Sequence, residues 1–359
     1  MNMYKNDMET ARKRVEAWWN RAVLDRAVIQ IKAPRDASNP TPKLERTDDP
    51  KAYFTDPEVV MTNLERYLEA TYFGGEAFPV VFPVSIRMAA ILANYLGSPM
   101  ELQDANTVWS GHMIEKWEDH LEFKIDPQNE WWKLSRTLLE AGAKRASGYF
   151  VGVPDLNGPT EILCRLRGPE KLALDLIDHP DKIMAAMKEI NRAWFGAWQE
   201  LTKITQQTGG YFNWMGIWSD LPSADLQSDS SCLISSSMFN EYFLPFIEEQ
   251  TNMIDRTIYH LDGPGAVRHL DALLELPKLT AVQWVQGSGE KPTVEWIPLI
   301  KRIQAARKLA YIYCEKGEVK TLLKELDPEG LMMVTTCGSP DEADDLLKSV
   351  GHWTPERAS

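Results

Sequence analysis

The feature that most constrains this chain is an alternation of two periodicities. Short runs rich in β-branched and aromatic residues recur, and longer stretches with apolar residues at helical spacing lie between them. The candidate strands are 27–32, 78–82, 149–153, 211–214, 232–234, 257–261, 281–285, 309–313 and 331–334. Amphipathic helices are predicted at 169–177, 180–207, 237–255, 265–276, 294–306 and 318–326. Start signals support them: Ser235 to Ser237 precede one helix, and Ser339, Pro340, Asp341 and Glu342 open the last. Strand–helix alternation at this spacing implies a parallel sheet with right-handed crossovers. About eight such units over roughly 280 residues predict an α/β fold, a (β/α)8 TIM barrel. An open doubly wound sheet is the alternative.

The first 75 residues read differently. A helix rich in Trp and Arg is predicted at 11–23, and 34–56, rich in Pro, Asp and Lys, is predicted irregular. Residues 1–75 are therefore expected as a helical and irregular N-terminal extension packed on a barrel of residues 76–359, the whole forming one structural domain. Its 359 residues can bury a core without disulfide staples.

Composition narrows the partners. Thirty-nine Lys and Arg against 52 Asp and Glu give a net charge of −13, which disfavours nucleic acid and anionic lipid. Cys164, Cys232, Cys314 and Cys337 are far apart and form no CxxC pair, which argues against a zinc finger, a redox dithiol or a disulfide framework. The opening residues are charged and amphipathic, unlike a secretory signal. No apolar run reaches membrane-spanning length. A cytoplasmic location is the expectation by elimination.

In a barrel, reactive side chains belong just after the strands. His260-Leu-Asp-Gly263 ends one strand, and alternation puts His260 and Asp262 on one face, where both can bind one metal ion. A strand-end histidine capped by its own loop aspartate would read the same way. Cys337 closes the last strand before a helix N-terminus, whose dipole would favour a thiolate; a small buried cysteine is the other reading. Cys314 and Glu315 end another strand. The segment 210–220 offers aromatic walls with Asn213, Trp214, Trp218 and Asp220, a composition suited to a mostly apolar ligand. Gln283, Trp284 and Tyr313 end further strands, and Asp229 adds a carboxylate. Asp155 ends a strand and either contacts substrate or caps a turn. Gly287-Ser-Gly289 lacks a full phosphate-binding fingerprint and reads as a flexible loop, and no Walker, nucleophile-elbow or HExxH motif occurs.

Four segments, in order, resemble the uroporphyrinogen decarboxylase-like superfamily. Residues 234–245 (ISSSMFNEYFLP) are similar to its ISPxMFxEFxxP segment, and 166–180 to its GxExLLxDLxDxPE segment. His260-Leu-Asp-Gly263 sits where its zinc-dependent methylcobalamin:thiol methyltransferases have His-x-Cys-Gly, and Cys337-Gly-Ser-Pro340 where they have a C-terminal Cys-Gly. The resemblance runs from about residue 75 to 350. It implies a barrel in which His260, Asp262 and Cys337 hold Zn2+, Asp262 replacing a cysteine. It also implies a methyl-corrinoid (methylcobalamin) carried by a partner corrinoid protein, because no DxHxxG motif occurs here. Asp220, Asp229 and Glu315 are then the candidate catalytic or orienting carboxylates. Asn213, Trp214, Trp218, Gln283, Trp284 and Tyr313 are the candidate substrate contacts. A homodimer is a possible assembly. Decarboxylation ranks second, because the chain lacks the Arg-rich segment of the decarboxylases, Arg87 being an isolated candidate. A non-catalytic small-molecule-binding barrel is the third reading.

Overall fold

The computed structural model describes residues 4–354 apart from 43, 46–48, 103–107 and 120–121. Its strands are β1 (Val28–Pro34), β2 (Thr71–Gly75), β3 (Val80–Val81), β4 (Met100–Leu102), β5 (Val108–Ser110), β6 (Phe150–Val151), β7 (Tyr211–Phe212), β8 (Trp218–Ser219), β9 (Ser223–Gln227), β10 (Arg256–Asp262), β11 (Ala281–Val285), β12 (Leu309–Tyr313) and β13 (Leu331–Thr336). One seven-stranded sheet runs in the order β2-β1-β13-β12-β11-β10-β9. It is parallel except where β2 turns back on β1. β3 and β6 form a separate parallel pair, so among the described residues the hydrogen-bonded ladder does not close on itself. The fold is mixed α/β and TIM-barrel-like, with helices between the strands.

Two apolar cores identify the two faces of the sheet. Val28, Phe78, Val80, Phe150, Phe212, Ile258, Ala281, Leu309, Tyr311 and Met332 pack together as an interior core. Their neighbours along the same strands, such as Ile29, Tyr259, Val282, Ala310 and Met333, pack outward against the helices. This is period-two alternation with both faces buried, as a helix-covered parallel sheet requires.

The N-terminal ends of the strands are plugged. Helix α1 (Met8–Trp19) buries Ala11, Val15, Trp18 and Trp19 against the interior core. Arg256, at the start of β10, binds Glu16 of α1 and Asp220 together. Residues 28–34 and 71–75 lie within the sheet itself, so the stretch expected as an extension contributes two of its strands.

Other helices start as the sequence indicated. The Ser235 side chain caps the turn that opens at Ser236, and Ser339 caps Pro340–Trp353. Helices at Pro50–Thr55 and Pro57–Ala70, the second capped by Asp56, stand where the sequence predicts irregular chain or no element. One strand lies earlier in the chain than its sequence pattern predicts. Residues Asp229–Leu233 form a 3-10 turn, and the strand is Ser223–Gln227 instead. The apolar pair Leu233–Ile234 suggested a strand, but Leu233 is exposed and the buried alternation lies earlier.

Candidate functional site

Register brings polar residues together at the open end. Gln227, His260 and Gln283 stand in one row across β9, β10 and β11. The same row continues to Tyr311 and Met332, so it is polar on one side of the interior and apolar on the other. One layer nearer the plug, Asp225 faces Ile258, which is followed by Ala281 and Leu309.

Beyond the row, Asp229, His260 and Asp262 each offer a ligand atom, and those atoms lie within 4.8 Å of one another. His260 Nε2 is 3.9 Å from Asp229 Oδ1. On the far side of the ring, His260 Nδ1 donates to Gln283 Oε1 at 2.5 Å. That bond leaves Nε2 bare and aimed at the carboxylates, which is the tautomer a metal ligand needs. Asp262 ends β10, and the chain then turns through Gly263 at φ 74°, a backbone region where a side chain is strained.

The turn carrying Asp229 is fixed from three directions. Thr160 Oγ1 donates to Ser228 Oγ at 2.7 Å, Ser230 N donates to Glu161 Oε2 at 3.0 Å, and His269 Nε2 donates to Ser231 O at 2.9 Å. The helix Pro159–Arg167 reaches this turn because Gly158 precedes it; a Cβ there would lie 1.9 Å from Gln227 O.

The electrostatics are those of crowded acids. Burial pushes the Asp229 carboxyl up to about 6; His260 pulls it down, while Glu161, Asp262 and Asp155 add to the rise. Asp229 Oδ1 is buried and makes no hydrogen bond. Burial, then Asp155, pushes Asp225 up to about 8. Burial also raises Asp155, which accepts from Asn157 N at 2.9 Å and Gln227 Nε2 at 3.2 Å. Asp155 thus caps its turn and also joins the acidic interior. Neither Asp225 nor Gln227 was singled out in the sequence, because the misplaced strand hid their shared face.

Trp214 completes the surroundings. Its ring meets His260 edge-on with centroids 5.5 Å apart. It also lines a cavity of about 450 Å3, bounded by the end of β1, the helices Pro50–Thr55 and Pro57–Ala70, and the segment 80–87. Arg87 lies in that lining.

Several expected residues are elsewhere. Cys337 is outside the Asp229–His260–Asp262 group and is buried among outward-facing residues. Alternation explains this: Met332 points inward and Met333 outward, which carries Cys337 outward. The helix N-terminus after it is already served by Ser339 Oγ and the Glu342 carboxylate. Burial, with Glu342 nearby, raises the thiol, the reverse of the expected thiolate. Cys314 is likewise buried outward, its thiol pushed up to about 12 by burial.

Asp220 lies at the plugged end on Arg256, a strand length from Asp262. Trp218 is there too; its indole donates to Gly209 O, and its own carbonyl accepts from Trp19. Trp284 faces the helices and packs on Trp296 at 4.7 Å. Glu315 is exposed and outside the ligand group, and its backbone N–H donates to Glu318. Asn213 is buried and holds its own loop by accepting from Ile217 N. Tyr313 is on the interior face, packed edge-on to Tyr311 at 5.6 Å.

A methyltransferase from Methanosarcina mazei has a similar structure, with a TM-score of 0.62 and 13% sequence identity over 95% of this chain and 98% of that one. At that identity the likeness is one of fold. No protein-family model and no curated protein matches the sequence.

Proposed function

We propose that the protein is a metal-dependent methyltransferase that moves a methyl group between a corrinoid held by a separate protein and a small molecule. The observation that carries this reading is the convergence of Asp229, His260 and Asp262 at the open ends of neighbouring strands. The similar fold of the Methanosarcina mazei methyltransferase supports it. So does the ordered resemblance of four sequence segments to the corrinoid-linked branch of the decarboxylase-like superfamily.

The residues fit a divalent cation. Two carboxylates and one imidazole are a nitrogen–oxygen donor set suited to Zn2+ or another borderline-hard ion. The buried Asp229 oxygen that makes no hydrogen bond is the kind of atom a cation satisfies. In this reading Asp229 takes the place expected for Cys337, and three protein ligands leave room for a substrate atom. A bound cation would supply Lewis acidity, lowering the pKa of a thiol or hydroxyl or stabilising it as a leaving group.

The chain's own residues do the rest. Gln283 fixes the His260 ring and its tautomer. The buried acids Asp155 and Asp225, whose carboxyls burial raises, leave the interior behind His260 without a cation to hold an anion. Trp214 shields the imidazole edge from solvent. The corrinoid arrives on a partner, and a cytoplasmic location and a homodimer belong to the same reading.

Elemental analysis tests it. About one metal per chain is expected in the wild type, lost in His260→Ala and retained in Cys337→Ala. Methyl transfer from methylcobalamin to thiols should vanish on chelation and return with Zn2+. Full activity in metal-free protein, or CO2 release from a carboxylated substrate without metal, would overturn it in favour of the decarboxylase reading.

A further inference from the structure

The cavity on the other side of Trp214 has a composition that specifies a ligand class. Its walls include the rings of Tyr53, Tyr67, Phe82 and Trp214, and its polar lining includes Lys32 and Arg87. Among the described residues no carboxylate is part of its lining, although the chain is strongly acidic and the neighbouring ligand group holds two.

Lys32 is placed there by the sheet. It follows Val28 and Gln30 on the inward face of β1, opposite Thr336 at the open end. Its ammonium lies 5.9 Å from the Tyr67 ring centroid, and among the described residues no carboxylate is within ion-pair distance. A half-buried cation satisfied by an aromatic face and left without an anion is poised for an anionic ligand. The volume of about 450 Å3 lies within the roughly 300–1,000 Å3 of small-molecule pockets.

We propose that this cavity binds a monoanionic carboxylate with a flat apolar or aromatic body, its carboxylate on Lys32 and Arg87 and its other end across Trp214 toward His260. The charge pattern sets that direction: Lys32 and Arg87 share the cavity lining with Trp214, whereas Asp229 and Asp262 stand beside the His260 ring that Trp214 meets edge-on. What happens at the His260 end rests on the methyl-transfer reading above. The binding mode does not.

Titration calorimetry on the full chain tests it with benzoate, benzamide and acetate as probes, with metal content measured on every sample. Benzoate should bind about tenfold or more tighter than benzamide, because only the anion meets both cations. Acetate should bind more weakly than benzoate, because it lacks the ring. Lys32→Met should bring benzoate down to benzamide and leave benzamide unchanged; Arg87→Met, at an exposed site, does the same if Lys32→Met fails to fold. Trp214→Ala should weaken benzoate and benzamide alike. Equal affinity for benzoate and benzamide, no benzoate binding by the folded wild type, or an undiminished preference in both cation variants would each overturn the proposal. Benzoate binding through Lys32 in protein that holds no metal would sink the metal reading and leave this one standing. A metal-replete protein indifferent to benzoate would do the reverse.

Discussion

The two ends of the strands use the same kinds of residue to opposite ends. At the plugged end the carboxylates Glu76, Glu16 and Asp220 are answered by arginines. Glu76 is fully buried, yet it takes two bonds from Arg26 at 2.9 Å, one from Ile29 N at 3.0 Å and one from Arg14 at 3.3 Å. Asp220 and Glu16 share Arg256. At the open end Asp155, Asp229 and Asp262 lie about one histidine, with Asp225 a layer deeper beside Asp155, and among the described residues none of them pairs with Lys or Arg. A buried acid supplied with donors is structure; a cluster of acids left short of cations stores unfavourable charge that a ligand relieves. An aspartate's role is therefore set by what its strand end faces.

The largest effect should separate the two ends by metal binding. Asp229→Ala and Asp262→Ala should each abolish stoichiometric metal, whereas Asp220→Ala should keep it. Gln283→Ala should weaken metal by about 10–100-fold, as loss of an outer-shell partner does. Equilibrium dialysis against Zn2+ ranks them, and equal losses at Asp220 and Asp229 would erase the distinction. Next comes Glu76→Ala. It strands Arg26 in the interior and should cost about 3–5 kcal/mol in urea unfolding. A cost under about 1 kcal/mol would mean the plug does not rest on that network.

How much of this could be read from the sequence follows from which residues announce their facing. His260 and Asp262 were legible because they lie two apart on a strongly β-branched strand that runs into glycine. Gln283 and Trp214 were found as strand-end and aromatic-loop residues. Asp220 and Trp218 were not placed, because two-residue strands joined by the loop 213–217 send 218–219 back toward the plugged end, and the Asn213–Gly216 turn is the sole local mark of that reversal. Trp284 was misassigned by one step of alternation: Gln283 points in, so Trp284 points out. Cys337 failed for the same reason, the helix dipole argument being sound only for a thiol that faces the opening. The α/β class and most helices were legible from periodicity. The open hydrogen-bond ladder at β3 and β6 was not, since two-residue strands carry no periodic signal.

A smaller effect should appear in the pH dependence of the metal-free protein. Asp225 sits at about 8 in the folded chain and near 3.8 unfolded. Below 3.8 both states hold the proton and the group contributes no slope. Between 3.8 and about 8 the folded state keeps a proton that the unfolded state releases, so stability falls as pH rises through that window. Above about 8 the slope ends. Asp225→Asn holds the neutral form at every pH and should flatten melting temperature against pH across that range. A slope that survives in the variant would assign it to the other acids of the open end.

The smallest effect belongs to Asp220. Its side chain is 52% exposed, and Arg256 retains Glu16 at 2.7 Å when Asp220 is removed. Water screens such a pair, and the guanidinium is not stranded, so Asp220→Ala should cost about 0–1 kcal/mol in urea unfolding. Arg256→Ala is the sharper partner: its guanidinium is largely buried, stacks 5.2 Å from Trp19 and serves both acids. That variant loses packing as well as charge and should cost more than Asp220→Ala and Glu16→Ala combined. If Asp220→Ala alone matched Arg256→Ala, the pairing at the plugged end would be a single strong bridge. The redundancy that distinguishes that end from the open one would then be absent.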